Sequence, residues 1–117
     1  FFPIPHGVVC GTLVAEATDV NIHALRQRQP DSPALARYAR AGRLLGAAAA
    51  EDAAACDGLV ALLRAWQDRL GLPRLGAYGV TEADVARIVA DSRGSSMKTN
   101  PVVLSDAEIA EVVRRRL

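Results

Sequence analysis

Residues 51–70, EDAAACDGLVALLRAWQDRL, decide the fold class. Cys56, Leu59, Leu62, Leu63, Trp66 and Leu70 recur at helical spacing, and acidic and basic residues fill the intervening positions. That stripe predicts an amphipathic helix from about Glu51 to about Leu70. Gly71 and then Pro73 supply its stop signal. Working outward, the same period recurs on both sides, and no strand-like alternation interrupts it.

Upstream, a helix is predicted from about Val8 to about Arg26. His6, Val9, Cys10, Leu13, Ala17, Val20 and Ala24 fall on one side, read as the core-facing stripe. Thr12, Glu16, Asp19, His23 and Arg26 fall on the other, read as a solvated back. A short linker at residues 28–32 leads to Ser32, an N-cap, with Pro33 in the first turn of the next helix. There Leu35, Tyr38 and Leu45 form the apolar face, and Arg37, Arg40 and Arg43 recur on the outside. Downstream, Thr81 caps a helix carrying Val85, Ile88 and Val89. Residues 92–104, SRGSSMKTNPVVL, read as the longest irregular stretch. Ser105 and Glu108 then form a capping box ahead of a last helix with Ile109, Val112 and Val113. The expectation is an all-α fold: a compact bundle of about five helices with short connections.

Bulk properties narrow the function classes. The chain has 117 residues, half of them hydrophobic, enough for one domain with a core. Fourteen basic residues nearly balance thirteen acidic ones, for a net charge of +1, which argues against a dedicated nucleic-acid binder. The Arg114–Arg115–Arg116 run reads as a solvated complement to the negative end of the last helix. No apolar run reaches the roughly 20 residues of a membrane span. The start at Phe1, without Met, reads as a piece of something longer or a processed product. Cys10 and Cys56 both fall on apolar faces and are expected to be buried free thiols in a reducing cytoplasm.

His6 is the residue with the clearest chemical promise. It stands at the mouth of the first helix, where the dipole disfavours imidazolium and favours the neutral ring that binds metals. The same field repels a bare cation, so a metal there needs an anionic partner. By spacing alone, however, one histidine is no metal motif and reads as a structural or capping residue. His23 lies 17 positions further along the same helix, roughly 25 Å away, and reads as a surface residue. Cys10 is one turn from His6 and could join it, but the pair supplies only two of the four ligands of a structural zinc site.

The order of segments adds a resemblance. IPHGVVCGTLVAEATDVN (4–21), SPALARYARAGRLLG (32–46), LVALLRAWQDRLGLPRLGAYGVTEADV (59–85) and KTNPVVLSDAEIAEVV (98–113) resemble, in sequence order, the helical domain of the iron-containing (group III) alcohol dehydrogenases. The resemblance spans nearly the whole chain. It implies the partial, C-terminal, metal-side domain of a dehydroquinate-synthase-like fold, with the nucleotide-binding domain lying upstream. It implies iron or zinc held by one Asp and three His, with His6 as the last of them, together with NAD(P) and a small alcohol or aldehyde substrate. Ser96 and Met97 fall in a loop that resembles one returning to the substrate pocket. The implied protein is a cytoplasmic homo-oligomer, and this segment alone, with one ligand of four, would not catalyse. One departure stands out: the family often carries Leu-Pro and then His one helix further on, where this chain has LVAEATDVN with Glu16. That leaves the subfamily open, with maleylacetate or phosphonoacetaldehyde reductases as relatives. A different class, a stand-alone helical interaction module, is compatible with the same helices.

Overall fold

The structure, a computed structural model, describes residues 2–117, without the side chains of Ser95 and Ser96. Six α-helices follow one another: α1 His6–Arg28, α2 Pro33–Leu44, α3 Asp52–Arg69, α4 Val85–Asp91, the single-turn α5 Ser95–Lys98 and α6 Asp106–Arg114. Two 3-10 turns, Leu75–Tyr78 and Glu82–Asp84, link α3 to α4. No strand occurs among the described residues. The all-helical expectation therefore holds, with five helices of seven residues or more and one extra turn inside the stretch read as irregular.

Local signals act where the sequence places them. Ser32 Oγ accepts from the Ala34 amide at 3.2 Å, and Pro33 opens α2. Ser105 and Glu108 close a reciprocal box, with the Glu108 amide donating to Ser105 Oγ at 3.1 Å and the Ser105 amide donating to Glu108 Oε1 at 2.8 Å. Past α3, Gly71 adopts φ +63°, the Gly71 amide donates to the Asp68 carbonyl, and the Leu72 amide donates to the Gln67 carbonyl. Those two bonds satisfy carbonyls that the helix end would otherwise leave open.

α1 is the axis of the molecule. On one flank Val20, Ala24 and Leu25 join the main core with Leu75, Val80, Val85, Val89, Ile109 and Val113. On another flank Ile22 packs with Ala39 of α2 and with Ala55, Cys56 and Val60 of α3. α2 and α3 approach to backbone contact: a Cβ built on Gly42 would lie 2.4 Å from the Ala55 carbonyl oxygen. Only glycine fits there.

This central position corrects three expectations. The back of α1 is only partly solvated: His23 is exposed as expected, but Thr12 is fully buried and Glu16 is 6 % exposed. Cys10 is not in the core; it is exposed, whereas Cys56 is buried as expected. The terminal arginines do not all stay in water, since Arg116 is 6 % exposed. The common reason is that α1 is covered by α2, α3 and α6 together, so a one-sided amphipathic reading misassigns its faces. At the edges of the bundle the stripes also overstate burial: Leu70 is 72 % exposed, and Leu45 and Trp66 are open too.

Candidate functional site

The head of α1 presents His6 as its first residue, directly after Pro5. The imidazole is exposed, and a Cβ at Gly7 would meet nothing within 4 Å, so the approach to the ring is open. One turn on, Cys10 Sγ lies 3.5 Å from His6 Nε2. Side chains at i and i+4 share a face, which is why they meet. No group of three or more His, Cys, Asp or Glu is positioned to hold a metal among the described residues. Among the described residues, His6 and Cys10 thus have no third ligand beside them.

His23 does not join them. Its Nδ1 lies 2.9 Å from the Asp19 carbonyl and 3.3 Å from Asp19 Oδ1, one turn back on its own helix. Met97 is half-buried against the main core and lines a cleft of about 180 Å³ with Arg93, Lys98, Asn100 and Leu104. His6 is not among the residues lining that cleft. The Ser96 side chain lies outside the described residues; its backbone belongs to α5.

The densest polar chemistry lies in the middle of α1, which the sequence reading assigned to solvent. Arg64 of α3 donates twice to Glu16, Nε to Oε2 at 3.0 Å and Nη2 to Oε1 at 2.8 Å. Arg115 donates through Nη1 to Asp19 Oδ2 at 2.7 Å and to Glu16 Oε1 at 3.3 Å. Two carboxylates thus meet two guanidiniums, and the charges cancel. The Arg64 hydrogen bond, opposed by burial, holds the Glu16 carboxyl below its usual range. Burial pushes Asp19 upward, but Arg115, His23 and Arg64 outweigh it and leave Asp19 lowered as well.

Beside this clasp, Arg116 donates through Nε to Thr12 Oγ1 and through Nη2 to the Leu72 carbonyl, both at 3.0 Å. Thr12 Oγ1 donates on to the Pro73 carbonyl at 2.8 Å. With its amide oriented to satisfy both neighbours, Gln67 donates to the Thr12 carbonyl and accepts from Arg116 Nη1, each at 3.1 Å. A third junction pairs Asn21 of α1 with Asn100, amide to amide at 3.0 and 2.8 Å, and Asn21 also donates to the Tyr38 hydroxyl at 3.2 Å. No buried side-chain nitrogen or oxygen among the described residues lacks a partner. These groups are saturated internally and hold helices together.

A sequence signal for the clasp was present. Ala15, Ile22 and Leu25 lie off the assigned stripe, so α1 is apolar on more than one side, the pattern of a covered helix. Polar residues on such a helix need partners, and the cations had to come from elsewhere in the chain.

No family model, curated protein or solved structure matches this chain.

Proposed function

We propose that this chain is the C-terminal helical segment of a metal-dependent, NAD(P)-linked oxidoreductase acting on small alcohols and aldehydes, of the iron-containing alcohol dehydrogenase kind. The observation that carries the reading is His6: a Pro-His-Gly histidine at the first position of a long helix, its ring exposed and the space beside it open. The ordered resemblance of the four segments supports it. The residues present fit one corner of a one-Asp, three-His site, with the other three ligands and the dinucleotide domain contributed from outside this chain. Iron or zinc in such a site supplies Lewis-acid polarisation of the substrate oxygen. The chain's own contribution is to present an imidazole nitrogen at the head of a long helix that the buried clasp holds in place. Ser96 and Met97 are assigned to the substrate side, in a homo-oligomeric cytoplasmic enzyme. A reductase of maleylacetate or phosphonoacetaldehyde is the alternative within the same chemistry.

The test is the parent polypeptide. The reading frame upstream of Phe1 is expected to encode a β-α-rich region with a glycine-rich loop, an Asp and two further His. His6→Ala in that protein should remove its metal, measured by elemental analysis, and abolish alcohol-dependent reduction of NAD(P). Full metal occupancy in the variant overturns the assignment. A frame beginning close to Phe1 favours the interaction-module reading, to which the exposed Leu44, Leu70 and Val103 side chains would belong.

A further inference from the structure

We propose that the cleft bounded by α1, α4 and α6 binds a small apolar amine, with Asp91 holding its ammonium group. The cleft has a volume of about 350 Å³, at the lower end of the range for small-molecule sites. Phe2, Val9, Leu13, Ile88 and Val113 belong to its wall, which is otherwise apolar except for Asp91 and Ser92. Val113 is buried, but Phe2, Val9, Leu13 and Ile88 stay half-buried, so the wall keeps apolar surface for a guest. An apolar body seated there removes that surface from water.

The polar end selects the charge. Asp91 is the last residue of α4, and no basic residue occupies that turn. An acid at the negative end of a helix is unfavourable unless a cation joins it. The neighbouring arginines are directed elsewhere. Arg87 lies over the Phe2 ring, 5.6 Å from its centroid, and 3.6 Å from Asp84, while Arg93 pairs with Asp106. Asp91 is exposed and makes no ion pair among the described residues. Ser92 Oγ donates its proton to the Val89 carbonyl at 2.8 Å, so what it has left to offer is lone pairs. Two acceptors, one of them anionic, therefore stand beside an apolar wall. That combination repels a carboxylate or phosphate and gives a neutral alcohol one ordinary hydrogen bond. It matches an ammonium group, which brings the opposite charge and several donors.

Neither His6 nor Met97 lines this cleft, so the amine site and the oxidoreductase reading can fail separately.

The experiment titrates the 117-residue chain with three probes that share one phenylethyl body: phenethylamine, phenethyl alcohol and hydrocinnamate. Amide chemical shifts report where each binds. Phenethylamine should give saturable shifts centred on Leu13, Ile88, Ser92 and Val113. Phenethyl alcohol should need about tenfold more ligand, the worth of one charge-assisted hydrogen bond, and hydrocinnamate should produce no shifts. Added salt should weaken the amine and leave the alcohol unchanged. Asp91→Asn, at an exposed position, should make amine and alcohol bind alike, with helical circular dichroism reporting that the variant is folded. Absence of saturable shifts overturns the proposal. So does equal affinity for amine and alcohol in the unaltered chain, or an amine preference that survives Asp91→Asn or high salt; the cleft is then an apolar packing gap with no charged end.

Discussion

Two parts of α1 carry ionisable side chains into different surroundings. At its head, His6 and Cys10 face water with only each other for company. In its middle, Glu16 and Asp19 are enclosed by Arg64 and Arg115, and no buried side-chain nitrogen or oxygen among the described residues lacks a partner. The middle is richer in charge, yet it has no valence to spare for a ligand. The head is sparse, yet its donors are accessible. Chemical promise in this molecule follows unsatisfied capacity, not the density of ionisable groups.

Substitution should separate the two parts. The largest effect is expected from Glu16→Ala, which removes the more buried of the two carboxylates that Arg64 and Arg115 share and leaves Asp19 to accept from both. Breaking a buried pair costs about 3–5 kcal/mol; with both arginines partly in water, a loss of about 2–3 kcal/mol is expected in urea denaturation. A loss below about 0.5 kcal/mol would return the clasp to the status of a surface ion pair.

Acid comes next. The folded Glu16 and Asp19 carboxyls sit below their unfolded values of 4.5 and 3.8. The unfolded state therefore binds more protons through that window. Their contribution is complete above the unfolded values and drains away as pH falls through the lowered folded ones. Glu108, lowered by Arg28, adds to the same slope. Stability measured from pH 6 downward should fall more gently in Glu16→Gln than in the unaltered chain, and identical slopes would refute the pairing.

The smallest effect belongs to the head. His6→Ala and Cys10→Ala should each change stability by no more than about 0.5 kcal/mol, as exposed positions do. A large loss at either would mean that the pair works as a structural contact.

How much of this was legible depended on range. The Ser32 cap, the Ser105–Glu108 box and the Gly71 stop involve residues at most a few positions apart, and the structure forms all three. A similar terminator stands at Gly46, φ +115°, just past α2. The faces of α1 were not legible from its own period, because the arginine partners of Glu16 and Asp19 lie 45 to 99 positions away. Cys10 and the terminal arginines were misplaced for that same reason: a thiol at helical spacing looks like core, and an arginine run looks like solvent, until a third helix is known to cover the first. His6 stands at the helix mouth as expected, because its immediate neighbours decide that, but it is exposed and not on a core-facing stripe.

The span between Asp19 and Arg115, 96 positions, also has a meaning in time. During synthesis Asp19 of α1 emerges 96 positions ahead of Arg115, which donates the shortest hydrogen bond to it. Over that interval the central helix carries its acids without that counter-ion, and closing so long a loop adds to the entropy that must be overcome before the contact helps. Interruption of the ribosome shortly before Arg115 should leave a nascent chain whose short-range caps have formed and whose axis is still unlocked.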